Sequence, residues 1–401
     1  MRRRARSAWR HPEHSGRVRS LPGSVRWVTV IGMALYVVVV GAGVYGAAVS
    51  ASLARRGARV VVVDAGAPAG GTSGATFSWT NSCGKQPRPY HDLSVASMRA
   101  HQRLAAETPH GDWYHECGNL EWADGDAERE ELRKKVDGVL EYGYQARWLD
   151  RAEALRLEPD IDPAELPADE IAFFPREGWI EPTRLIAHLL SSASSRGAEL
   201  VRDDAVTGLD VSGGTVRAVR LASGRRLSAD AVVNCAGPQA ARIAELAGLA
   251  LPMRNTRGVL LYTSPVAVSV SRVVHAPRVH LRPDGAGRLL LHTPEIDGAA
   301  RVSATGEISV EDSAVEKVLA AGRALYPGIR AATVESVRVG ERPIPGDGLP
   351  VLGRAAGLPN FHFAVSHSGA TLSVHAGDLV AAEALGEDHG DTLAPFRFER
   401  F

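Results

Sequence analysis

YVVVVGAGVYGAAVSASLARRGARVVVVD occupies residues 36–64. Its first five residues form an unbroken run dominated by β-branched side chains, the pattern of a strand buried on both faces of a parallel sheet. Gly41 lets the chain turn sharply out of that strand, Gly43 lets backbone approach a pyrophosphate, and Gly46 lets the next helix pack closely. Val44 and Tyr45 complete the loop. The helix is expected from about residue 44 to 56, with Gly57 at its C-terminal cap and its positive N-terminal end toward the phosphates. A second buried strand, 58–63, ends in Asp64, whose carboxylate can accept hydrogen bonds from an adenosine ribose. An acid at that position favours an unphosphorylated ribose, hence FAD or NAD over NADP.

Outward from this unit, the 401 residues exceed one ordinary domain, and 45% hydrophobic with 23% charged residues suits a well-buried protein. Two domains, consecutive or interleaved, are expected. Lys plus Arg and Asp plus Glu both number 46, so no net field points to nucleic acid or an anionic membrane; a small molecule is the expected partner. Cys83, Cys117 and Cys235 show no CxxC spacing, which argues against a disulfide framework and a zinc site and for a reducing, cytoplasmic compartment. Arg2, Arg3, Arg4 and Arg6 precede an apolar run, residues 27–40, that imitates a signal or anchor. The run is too short to span a bilayer, lacks a small-residue cleavage site, and its second half is needed as the strand. Residues 1–33 therefore read as a disordered extension, with Met33 a candidate translation start.

After Asp64 and Ala65 comes GAPAGGTSGATFSWTNSCGK, residues 66–85, a polar, glycine-rich stretch where a simple dehydrogenase would place another helix. Such a segment can wrap a large cofactor. An acid ending the second strand, followed by Gly71-Thr72-Ser73-Gly74, resembles the D-amino-acid oxidase family of flavoproteins, which includes glycine and sarcosine oxidases. Further segments resemble that family in order: GWIEPTRLIAHLLSSASSRGAELVRDDAVTGLDV at 178–211, SADAVVNCAGPQA at 228–240, LPMRNTRGVLLYTSP at 251–265, VHLRPDGAGRLLLHT at 279–293, and the closing block 340–385. The resemblance implies an α/β fold: a Rossmann-like FAD-binding domain with an inserted, mostly antiparallel-sheet substrate domain. FAD-binding segments are expected at 34–90, 145–250 and 331–390, substrate segments at 91–144 and 251–330, and a tail at 391–401. Charge-rich helical sequence near 126–135 and short strands through 251–310 agree in outline. The resemblance also places backbone near Ala205 and Val206 at the adenine, and the turn Cys235-Ala236-Gly237 along the ADP half.

Enzymes of this family move a hydride from the carbon bearing an amine to flavin N5, leaving an imine that water hydrolyses, and the cofactor carries the hard chemistry. The protein must hold the substrate carbon in place. Arg342, in GERPIPGDGLPVLG, matches the family's carboxylate-binding arginine, whose fork suits that ligand; the alternative is a salt bridge with Glu341 or Asp347. Residues 366–371 should turn into a helix whose N-terminus, through Ser368, Gly369, Ala370 and Thr371, faces the flavin where negative charge develops. His367 is either a substrate contact or a satisfied loop histidine. Lys85 is a candidate for substrate-anion binding or for promoting oxygen reduction, or else a solvated loop lysine. Tyr90 and His91 could border the cavity, while Trp79 and Trp113 read as packing. No cysteine stands beside Glu341 and Arg342, where some relatives tether FAD, so noncovalent FAD is expected. Ser366-His367 replaces the family's Gly-His pair, leaving substrate and acceptor open. The expected activity is oxidation of an amino acid or amine at CH–NH, with oxygen or another acceptor regenerating the flavin. A 2-hydroxy-acid dehydrogenase and a noncatalytic FAD-binding subunit are the alternatives.

Overall fold

A computed structural model describes residues 34–302 and 308–401. The expected disordered extension, residues 1–33, falls outside them. The β-branched run becomes the strand Tyr36–Val40, paired in parallel with Arg59–Val63 on one side and Ala231–Asn234 on the other. Beyond these lie Glu199–Val201 and Leu358–Val365, both parallel, and the antiparallel edge strand Val351–Ala355, which completes a six-stranded sheet. Successive side chains of a strand face opposite ways. Val37 and Val39 accordingly enter one core with the helices Val44–Arg55, Pro182–Ser194 and Gly369–Ala384. Val38 and Val40 enter another, against the antiparallel strands Val206–Ser212, Thr215–Leu221 and Arg226–Ser228. The first helix ends at Arg55 and the chain leaves it through Gly57 at φ +85°, a left-handed conformation that glycine adopts without strain.

A second sheet has eight strands in the order Val334–Arg342, Thr256–Thr263, Leu289–His292, Val279–Pro283, Val273–Ala276, Asn119–Glu121, Ile171–Phe174 and Arg147–Leu149. Only the pairing of Val273–Ala276 with Asn119–Glu121 is parallel. The expected segments 145–250 and 331–390 thus contribute strands to both sheets. One face of this sheet packs on the helix Asp312–Leu325 through Leu261, Leu281, Leu291 and Val318. On the opposite face Leu260, Tyr262 and Leu290 pack with Phe77, from the glycine-rich stretch after Asp64. The charge-rich sequence near 126–135 opens the helix Asp126–Glu141. Among the described residues, no helix is long and apolar enough to cross a membrane.

Candidate cofactor and substrate site

Where the strands of the six-stranded sheet end, a cavity of about 840 Å³ opens, within the range of cofactor clefts. Its wall includes Gly41, Gly43, Val44, Tyr45, Asp64, Ala65, the run Gly71, Thr72, Ser73 and Gly74, then Val206, Cys235, Ala236, Gly237, His367, Gly369 and Ala370. Asp64 is already engaged: its carboxylate accepts from Ala42 N at 2.6 Å and Gly66 N at 2.9 Å, which ties the second strand to the glycine loop. Ser73 Oγ accepts from Val44 N at 3.1 Å. Gly46 stands behind the wall, where a Cβ would lie 1.7 Å from Gly41 O. Its role is therefore contact between helix and loop rather than contact with ligand.

The turn 366–371 is bound to the glycine-loop helix by Tyr45 Oη and Ser366 Oγ, 2.9 Å apart and buried. Ser368 starts the helix Gly369–Ala384 but gives its side chain no capping role. Instead Lys85 Nζ donates to Ser368 Oγ at 2.8 Å, and Tyr90 Oη stands 2.6 Å from the same oxygen. Thr371 accepts from Asn81 N and donates to Trp79 O, both at 3.3 Å, so Ser368 and Thr371 act as anchors behind the cavity. His367 lines the cleft, where desolvation, with the Lys85 and Arg342 charges nearby, lowers its imidazole to about 4. It is neutral near pH 7.

Arg342 and Lys85 stand outside the cavity wall, which runs through Glu341 and Pro343, and Arg342 belongs to neither salt bridge expected from sequence. Nη1 donates to Asp297 at 2.7 Å and to Arg257 O at 2.8 Å, while Nη2 lies 3.2 Å from His292 Nε2. Asp347 pairs with Arg400, and Glu341 accepts from Asn255. The Arg342 guanidinium lies flat over Gly258, where a Cβ would meet Nη2, Cζ and Nε at 2.7–2.9 Å.

The family described as DAO, FAD dependent oxidoreductase, matches residues 36–383. This chain belongs to it. It is 28% identical over 367 residues to a glycine oxidase of Geobacillus kaustophilus (strain HTA426), covering 88% of this chain and 94% of that one. A crystal structure of glycine oxidase from the same species superposes with a TM-score of 0.79 at 27% identity, covering 92% of this chain and 99% of that one. Hydrogen cyanide synthase subunit HcnC of Pseudomonas aeruginosa is 27% identical over 328 residues, 79% of this chain and 75% of that one.

The cavity fits the FAD of this FAD-dependent oxidoreductase. The helices Val44–Arg55 and Gly369–Ala384 both begin at its wall, and neither has a side-chain cap at its N-cap residue. Backbone donors at such ends suit phosphate and electron-rich carbonyl oxygens. Gly43 keeps the loop low: a Cβ there would come within 3.0 Å of Ser73 Oγ.

Several site residues escaped sequence reading. Arg242 and Arg338 line the cavity, and Arg242, exposed just past the Gly237 turn, offers the kind of cation that a search for phosphate partners after that turn could have found. Glu177 is fully buried and accepts from Ser82 N at 3.1 Å, Cys83 N at 2.8 Å, Trp79 Nε1 at 3.1 Å and Asn119 Nδ2 at 3.4 Å. Burial pushes its carboxyl up to about 7 against those donors and the Lys135 charge. It fastens the segment that leads to Lys85. Arg282, also buried, donates to Phe77 O and, at 3.1 Å, to Ser78 Oγ, and lies over the Trp179 ring. Trp113 is buried as expected, whereas Trp79 is a polar anchor as well as packing. His91 contacts Ser82 and lies outside the cavity wall.

Proposed function

We propose that this enzyme oxidises the CH–NH bond of a carboxylate-bearing amine, an amino acid in the broad sense. The reading is carried by Arg342. One edge of its guanidinium is fixed by Asp297 and Arg257 O, while Nη2 and Nε have no carboxylate partner among the described residues. A fork held on one side is preoriented, so less rotamer entropy is lost when a ligand carboxylate meets the other. When bound, FAD supplies the acceptor for the hydride leaving the amine carbon, at N5. The chain's own part is to hold that carbon through Arg342, keep a neutral His367 at the cleft, and present the uncapped helix end at Gly369. Oxygen or another acceptor completes turnover. Three cysteines without disulfide partners suit a reducing, cytoplasmic setting.

Replacing Arg342 with Ala should weaken a carboxylate-bearing substrate about 100-fold in anaerobic flavin reduction, the scale of a charge-assisted contact of about 2–3 kcal/mol. Unchanged turnover and apparent affinity would remove the clamp from this reading. Ammonia release, as against a keto acid formed from a hydroxy acid, tests the CH–NH assignment.

FAD is held noncovalently in this reading, since Glu341 and not a cysteine precedes Arg342. Acid or heat denaturation should release all the flavin into the supernatant. Flavin fluorescence that stays with the denatured polypeptide on a gel would overturn this.

A further inference from the structure

On the face of the eight-stranded sheet that meets Phe77, three histidines stand side by side on consecutive strands. His275 is the direct cross-strand partner of His280, and His280 of His292. Their ring centroids are 4.6 and 5.7 Å apart. Trp79 lies 4.2 Å from the His275 ring, and Phe77 lies 5.7 Å from His275 and 6.3 Å from His292. The outer two are occupied: His275 Nδ1 is 2.8 Å from Asn119 Oδ1, and His292 Nε2 is 3.2 Å from Asp297. His280, partly exposed, has no hydrogen-bond partner among the described residues. The row is not a metal centre, because no group of three ligating side chains among the described residues is arranged for one.

The charges bordering the row are neutralised in pairs. Lys135 meets Glu121 at 2.7 Å at the His275 end, and Arg342 meets Asp297 at 2.7 Å at the His292 end. Between them burial and mutual repulsion hold His280 far down, at about 3, so the middle of the row is polar but uncharged near pH 7. A charged group brought there would lose its hydration without gaining a counter-charge, which costs several kcal/mol. An uncharged donor or acceptor would gain the unpartnered imidazole.

Resting on the reading of Arg342 as the carboxylate clamp, we propose that His280, flanked by His275 and His292, recognises the substrate's side chain, and that this side chain is extended, uncharged and hydrogen-bonding. A carboxylate on the free edge of Arg342 starts at the His292 end. His280 is one strand further, about 4.8 Å, within reach of a side chain of three or four atoms. Glycine would leave His280 unused.

The test is anaerobic binding to the holoenzyme, read from the visible flavin spectrum, with carboxylates that carry no amine on the carbon beside the carboxylate: acetate, pentanoate, 4-carbamoylbutanoate, glutarate and 5-aminopentanoate. The amide ligand should bind at least about tenfold more tightly than glutarate and 5-aminopentanoate, and more tightly than acetate and pentanoate. A His280→Leu variant should lower its affinity relative to acetate about tenfold, the worth of one hydrogen bond, and His280→Asn should recover part of that ratio. If the leucine variant does not retain flavin, the wild-type ligand series decides alone. Tightest binding of any ligand other than the amide overturns the proposal, as does equal weakening of all five by His280→Leu. Failure of the clamp looks different: Arg342→Ala would then leave every carboxylate's affinity unchanged, acetate included.

Discussion

Gly46→Ala is expected to yield protein that has lost nearly all its FAD and melts well below the wild type. A Cβ at this position would lie 1.7 Å from Gly41 O, a backbone atom that cannot swing aside. Gly41 is itself trapped: it sits at φ +104°, donates to Val63 O at 2.7 Å, and a Cβ on it would come within 2.4 Å of Cys235 O. The glycine-loop helix would have to lift by about 1 Å or more, carrying its N-terminal backbone donors away from the cavity wall. Overpacking of this kind costs about 1–3 kcal/mol or more in stability, and the displaced donors lose the ligand. Gly57→Ala provides the contrast. Gly57 also has a positive φ, but nothing lies within 4 Å of its added Cβ, so that variant should lose about 1 kcal/mol through backbone strain and keep its flavin. The ratio of flavin to protein absorbance after gel filtration, with thermal unfolding, separates the two. A Gly46→Ala protein as yellow and as stable as the Gly57→Ala protein would mean that the helix slides freely.

This contrast also marks what a linear reading reaches. Residues 36–64 were legible because strand, turn, helix and terminal acid are local, and each residue type answers to a neighbour a few positions away. The wall segments at 71–74 and 235–237 were legible by resemblance, in their order along the chain. Arg342 was found as a residue, but its partner was not. Asp297 lies 45 positions away on a short helix, and only the meeting of separate strands brings the two together. Glu177, in FFPREGWI, reads as an ordinary turn acid, and Arg282, beside Pro283-Asp284-Gly285, as a hairpin arginine. Their burial follows from the stretch 77–83 folding over the second sheet. The histidine row depends on register across three strands, which periodicity within any one of them does not carry.

Glu177→Ala should destabilise the holoenzyme by about 3–5 kcal/mol, because two backbone N–H groups, an indole N–H and an amide would lose their buried acceptor together. The deficit should depend on pH. In the folded chain this carboxyl titrates at about 7, above its ordinary 4.5, so as pH rises the unfolded chain releases the proton first. The stability contributed by this group is complete below about 4.5 and is lost as pH climbs through about 7, by roughly 3 kcal/mol at about 1.4 kcal/mol per pH unit. The gap between wild type and Glu177→Ala should therefore be widest near pH 5 and narrow toward pH 8. Glu177→Gln should fall between them: its carbonyl can still serve the Ser82 and Cys83 N–H groups, but its amide would oppose the Trp79 and Asn119 donors. Because the fastened segment runs on to Lys85 and through it to Ser368, at the start of the helix Gly369–Ala384, flavin retention should fall in the order wild type, Gln, Ala. Thermal unfolding of the three proteins at both pH values decides the matter, and a gap that stays constant with pH would mean that Glu177 remains ionised throughout, its hydrogen-bond donors outweighing its burial.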